Sequence, residues 1–246
     1  MSAVAVAELY RRAGKTKEAD EHEQLAGMLP PDVTWPNPYA SQVAELRRGR
    51  GVLSDTYFAQ DRANDAEGVI ATATALTDQY PSTESQLLLL RAFINTGEYA
   101  AAVAVAEDVL RVEPGAVTAH SMLGLARLGL AERAEAEGRK ADADRLLVQA
   151  AESLGESARL KPDYAPGFLY QSKALLKLGR LPEAEAAARA GIKCRPEEWE
   201  AYLFLADVLA AAGRKPEAVA EAEKAVKLAP ANEPRAKQAL EALKKK

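Results

Sequence analysis

One spacing recurs six times along the chain and constrains its fold more than any other feature. Gly14 to Ala19 reads GKTKEA, Gly97 to Ala102 GEYAAA, Gly138 to Ala143 GRKADA, Gly179 to Ala184 GRLPEA and Gly213 to Ala218 GRKPEA. The sixth copy, NDAEGV from Asn64 to Val69, replaces Gly with Asn, the next-best residue where a backbone turns left-handed. In five copies a Pro follows the Ala position by twelve residues, at Pro31, Pro81, Pro114, Pro196 and Pro230. After Ala143 the interval to Pro162 is nineteen, seven more than elsewhere.

Each unit thus reads as helix, Gly turn, helix, Pro stop. Gly closes the first helix without steric cost, and Pro lacks the N–H needed to continue the second. In the last unit, Tyr202, Leu205, Ala206 and Leu209 form one stripe at helical spacing. In its second helix, Ala218, Ala222, Ala225 and Leu228 form a narrow face that admits a close neighbour. A helix pair this thin buries too little apolar surface alone and must stack on others. The Gly14-Lys15-Thr16 run imitates the end of a phosphate loop, but Leu9 stands where that motif needs its first Gly. The preceding AVAVAELYRR also reads as a helix rather than a strand, so Gly14 is expected to be a helix–helix turn.

The sequence resembles the tetratricopeptide repeat, whose period is about 34 residues. Ala165 to Glu198 and Trp199 to Asn232 carry the resemblance best. The family's apolar and small positions fall on Tyr202, Leu205, Ala206, Leu209, Ala218, Ala222, Ala225 and Pro230. In the preceding unit they fall on Phe168, Gln171, Ser172, Leu175, Ala184, Ala188, Gly191 and Pro196, where Gln171 departs from the pattern. Thr83 to Ala116 fits with Leu89, Leu90, Phe93, Ala102, Ala106, Val109 and Pro114.

The resemblance implies an all-α chain, a right-handed superhelical solenoid of antiparallel helix hairpins. Its units are expected at 1–31 (N-terminally incomplete), 38–82 (degenerate, with a long first helix), 83–116, 117–164, 165–198 and 199–232. A Pro-rich linker at 32–37 and a capping helix at 233–246 complete it. The extra residues of the fourth unit divide as seven at the end of its first helix and seven at the start of its second. Seven residues are about two turns, so both helices lengthen in phase. The resulting hairpin around Gly138 reads either as a partner-binding arm or as a register-preserving insertion. Trp35 and Tyr39 either staple the linker to the first hairpin or contact a ligand. Their W-x-N-P-Y setting is similar to repeat regions of some bacterial multidomain proteins, cytochrome-linked ones included. The chain has no C-x-x-C-H, so no haem is expected.

Composition narrows the function. The net charge is −4, with acids and bases mixed along the helices, and aromatic residues make up 6% of the chain. Neither a basic footprint nor stacking platforms for nucleic acid are present. No run is apolar and long enough to span a bilayer. As written, the chain is expected in the cytoplasm, unless it is part of a longer or exported protein. The single Cys194 reads as a buried small hydrophobe. His22 and His120 stand far apart, and no His/Cys/Asp set has metal-ligand spacing. No cofactor, metal or catalytic residue is assigned, and the chain is not expected to be an enzyme.

The resemblance further implies that the first helix of each hairpin lines a concave groove. The family's groove positions fall on Glu84, Leu87, Arg91, Ile94 and Asn95, then on Thr118, Ser121, Leu125 and Leu128. They continue on Pro166, Leu169, Lys173, Leu176 and Lys177, then on Glu200, Leu203, Asp207, Ala210 and Ala211. Leu87, Ile94, Leu125, Leu169, Leu176 and Leu203 would form an aliphatic track, with Arg91, Lys173, Lys177 and Asp207 beside it. Chaperone-binding members hold a C-terminal carboxylate with Lys and Asn four apart; the corresponding pairs here, such as Leu169/Lys173 and Leu203/Asp207, lack that clamp. The implied ligand is an apolar segment or amphipathic helix of a protein, with acidic flanks. The alternative is an architectural module that self-associates through its uncapped N-terminal end.

Overall fold

A computed structural model describes residues 10–11, 14–28, 38–230 and 232–245. Arg12 and Ala13, the opening residues of the first hairpin, the 32–37 linker with Trp35, Pro31, and the side chains of His22 and Tyr39 lie outside the described residues. The regular elements among the described residues are all helices, and the fold is all-α. In chain order they are α1 (Thr16–Met28), α2 (Pro38–Arg62), α3 (Ala66–Gln79), α4 (Thr83–Thr96), α5 (Tyr99–Val112) and α6 (Val117–Ala136). There follow α7 (Lys140–Leu160), α8 (Ala165–Lys177), α9 (Leu181–Cys194), α10 (Trp199–Ala211), α11 (Lys215–Leu228) and α12 (Pro234–Lys245).

The six turn positions share one backbone solution. Gly14, Asn64, Gly97, Gly138, Gly179 and Gly213 all have positive φ, between 55° and 81°. In every case the following N–H reaches back to the carbonyl five residues earlier. The bonds are Lys15 to Tyr10, Asp65 to Gln60, Glu98 to Phe93, Arg139 to Ala134, Arg180 to Leu175 and Arg214 to Leu209, at 2.7–3.0 Å. That bond terminates a helix by satisfying one of its orphan carbonyls. The amides at Gly14 and Lys15 are therefore engaged in a helix stop and are not free to cradle a phosphate.

The chain divides into two compact units, Met1–Glu98 and Tyr99–Lys246. In the first, α2 packs on α3 and α3 on α4. Tyr57 of α2 is fully buried with Val69, Ala73 and Leu76 of α3 and Leu89, Leu90 and Ala92 of α4. The Tyr57 hydroxyl donates to the Leu88 carbonyl at 3.3 Å, so the one polar atom of a buried ring is satisfied. Side chains start two of these helices: Asp65 accepts from the Gly68 N–H and Ser82 from the Ser85 N–H, capping α3 and α4.

In the second unit each helix from α5 to α12 packs on the next. The main next-but-one contacts run along the first helices, α6 to α8, α8 to α10 and α10 to α12. First helices that touch one another in this way define the inner row of a curved stack. Small residues permit the close approach: Ala184, Ala188, Ala218, Ala222 and Ala225 are all 0% exposed. Leu228 departs from that narrow face. It is the last residue of α11 and is 43% exposed.

The enlarged hairpin is α6 and α7, of 20 and 21 residues, against 13 and 14 for α8 and α9. Each has gained two turns, so its apolar face stays in phase: Ala131, Ala134, Ala143 and Leu147 are buried along the extension. Leu128, Leu147, Ala150 and Leu154 join Ala174, Leu175 and Ala184 in one core cluster. The departures from family pattern have local partners. Gln171 donates to the Ala151 carbonyl at 3.3 Å, and Gly155 leaves the room it needs. The His120 Nε2 lies 2.9 Å from the Pro114 carbonyl, while in the last hairpin the Tyr202 hydroxyl donates to the Pro196 carbonyl at 2.8 Å. Each ring satisfies a carbonyl just past the preceding helix. Cys194 is only half-buried; its thiol donates to the Pro162 carbonyl at 3.2 Å.

Candidate partner-binding groove

The residues assigned to the groove do not form one exposed aliphatic row. In the first unit Leu87 and Ile94 are half-buried. Arg91 lies 3.3 Å from Asp61, which also accepts from Asn95 at 3.3 Å, so these two polar groove positions are held by one acid of α2. Glu84 is paired with Arg50.

In the second unit, Leu125 and Leu176 pack against the central core cluster. Leu128 and Ser121 are buried as well. Leu169 is 6% exposed, packed with Ala165 and Ala201. Its side chain fills the space a Cβ on Gly191 would take, which explains why that helix carries Gly there. A Leu that fills a neighbour's notch is part of the stack, not of a free track. Lys173 and Lys177 are also engaged, with Glu132 at 2.9 Å and Glu135 at 2.8 Å on the extension of α6.

Leu203 and Asp207 remain at an open concavity of about 440 Å³ formed by α8, α10 and the start of α12. Leu169 and Pro166 contribute to its edge, and Tyr170, Trp199 and Phe204 supply aromatic rings. Tyr170 and Phe204 meet edge to face at 5.8 Å between centroids. Charged groups surround them: Arg195, Glu198, Glu200, Asp207 and Arg235. The Arg235 guanidinium lies 4.8 Å above the Trp199 ring and 3.1 Å from Glu200. Arg195 lies 3.5 Å from Glu198. Asp207 has no hydrogen bond or ion pair among the described residues. Asp207 is exposed, and partial desolvation by its surroundings shifts its carboxyl above the ordinary aspartate value. Desolvation first, then Glu200, also raises the Tyr170 hydroxyl.

The aromatic pair was missed because the family's groove positions fall one residue earlier, on Leu169 and Leu203. A signal existed: Tyr170 and Phe204 are 34 residues apart, one repeat period. Arg235 had no comparable signal, since only the docking of α12 brings it here.

Stacked antiparallel hairpins that present an inner row of first helices define a helical-repeat protein, one that works through its surfaces. A profile described as tetratricopeptide repeat matches residues 87–165 and 170–233, more than half of the chain. The chain belongs to the tetratricopeptide-repeat family, whose fold serves as a protein–protein interaction scaffold. Among solved structures, TTC0263, a thermophilic TPR protein of Thermus thermophilus, aligns with a TM-score of 0.68 at 21% identity. That alignment covers 80% of this chain and 100% of the other. MamA residues 41 to the end from Desulfovibrio magneticus RS-1 align with a TM-score of 0.54 at 18% identity, over 73% of this chain and 92% of that one. At these identities the likeness is one of fold. A curated relative, the STIP1 homolog of Dictyostelium discoideum, is 49% identical over 41 residues, 17% of this chain. The match spans only 7% of that relative's length. Among the described residues, no group of three or more His, Cys, Asp or Glu is placed to hold a metal ion. No described helix is long and apolar enough to cross a membrane.

Proposed function

We propose that the chain is a non-enzymatic scaffold that binds a segment of a partner protein along the first helices of its second unit. The anchor is the concavity of α8, α10 and α12. One observation carries this reading: equivalent positions of two successive first helices turn Tyr170 and Phe204, with Leu203 beside them, into a cavity of about 440 Å³. Aromatic and aliphatic side chains around a few polar groups are what a peptide anchor needs. An extended segment or an amphipathic helix both fit such a groove. The alternative, self-association through the N-terminal end, involves opening residues that lie outside the described ones.

The test is capture from source lysate by the wild-type chain, by Leu203→Gln and by Leu228→Gln, each checked for helicity. Leu203 sits in the cavity, whereas Leu228 is exposed on an outer helix end. Leu169 is unsuitable as a probe because its substitution breaks the stack. A partner retained by Leu228→Gln and lost by Leu203→Gln supports the groove; equal capture by all three overturns it.

A further inference from the structure

We infer that the anchor cavity receives a basic side chain, lysine or arginine, carried beside an aliphatic residue of the partner segment. This rests on the groove reading above and reverses the sign expected from the sequence, which pointed to acidic flanks.

The argument begins with the cations. Lys173 and Lys177 were the groove charges that would receive an acidic segment. Both are engaged within the chain by Glu132 and Glu135. The cavity itself has two cations, each already placed. Arg195 pairs with Glu198 at 3.5 Å. Arg235 divides one positive charge between Glu200 at 3.1 Å and Glu233 at 2.9 Å. Against these stand the carboxylates of Glu198, Glu200 and Asp207 in the wall, with Glu233 drawing on Arg235 from behind. Asp207 has no partner among the described residues, and Glu200 is only partly compensated. The wall carries negative charge that the described residues do not neutralise.

The rings point the same way. The chain sets its own guanidinium on the Trp199 face at 4.8 Å, an internal example of the contact a cation makes with this surface. Tyr170 and Phe204 line the same cavity as Asp207 and offer rings to the aliphatic stem of a lysine or arginine as well as to its charged head. Leu203 lies one helical turn before Asp207 on α10, so an aliphatic residue of the partner can rest on it while a neighbouring cation reaches Asp207. Desolvation holds the Asp207 carboxyl above its ordinary value. A cation brought there restores what the concave wall took away, and does so without displacing any internal salt bridge.

An array of short random-sequence peptides, probed with the full chain, tests this. The wild type should select peptides enriched severalfold in Lys or Arg adjacent to Leu, Ile or Val. Asp207→Asn should keep binding but lose that enrichment, with selected basic peptides weakened roughly fivefold to tenfold. Leu203→Gln should lose binding altogether. Selection without a basic preference, or a preference that survives Asp207→Asn, overturns the inference and leaves the groove standing. Binding indifferent to Leu203→Gln, or no selection by the wild type, overturns the groove and the inference together.

Discussion

Lys177 Nζ lies 2.8 Å from Glu135 Oε2, closing a contact between residues 42 positions apart. One turn away, Lys173 meets Glu132 at 2.9 Å, so two rungs join α8 to the extended end of α6. The extra turns of the fourth hairpin are thus fastened to the next hairpin by the lysines that the family pattern places in the groove. These pairs are partly exposed, which limits their strength but not their consequence for the groove's charge.

Reversing one rung should be tolerated and reversible. Lys177→Glu should destabilise the chain by about 0.5–1 kcal/mol through loss of the pair and repulsion from Glu135. Adding Glu135→Lys should recover most of that loss. Urea midpoints for the wild type, both single variants and the double variant give the coupling. No recovery in the double variant would mean that the rung is incidental.

Ser157→Ala should stabilise the protein. Ser157 is fully buried in α7, and its hydroxyl has no hydrogen-bond partner among the described residues. An unsatisfied buried hydroxyl costs about 1–3 kcal/mol, and Ala is also the better helix former. A gain of about 1 kcal/mol is expected from denaturant unfolding. An unchanged or lowered midpoint would show that the hydroxyl is satisfied in solution.

Two glycines of the enlarged hairpin should respond differently to alanine. Gly138 has φ of +74° with nothing near its missing Cβ, so Gly138→Ala should cost about 1 kcal/mol of backbone strain alone. Gly129 is an ordinary helical residue, but a Cβ there would run into the Tyr99 ring, which Arg133 covers at 5.1 Å. Gly129→Ala should therefore cost about 1–3 kcal/mol from overpacking. Thermal unfolding of both variants ranks them, and the reverse order would place Tyr99 elsewhere.

Asp207 links stability to pH. Its folded-state pKa is raised by desolvation, so the folded chain holds that proton more tightly than the unfolded chain does. The resulting stability is present below the ordinary aspartate value and is lost as pH rises through the raised one. Asp207→Asn should therefore unfold later than the wild type at neutral pH. The difference should close as pH falls below the aspartate range. A variant less stable at neutral pH would reveal a favourable partner for the carboxylate.

Much of the fold was legible because the turn is a local event. A residue able to adopt positive φ between two helical stretches requires only backbone sterics to produce a hairpin turn. All six such positions, Asn64 included, adopt positive φ. The seven-residue additions were equally legible, since whole turns are counted along one chain. The groove was less so. Leu169 occupies a family groove position yet is buried, because Gly191 opposite it offers a notch. Whether a first-helix residue faces a ligand or a neighbour depends on a side chain of another helix.

Sequence alone determined the class of structure: antiparallel hairpins, where they turn and which small faces stack. Those features follow from spacing within a single helix or turn. Tertiary structure decided the chemistry of the surface. Docking brought Arg235 over Trp199, engaged Lys173 and Lys177 with acids of another hairpin, and left Asp207 as the cavity's unpaired charge among the described residues. Charge balance in a groove is a sum over helices that meet only in three dimensions, and no periodicity along the chain encodes it.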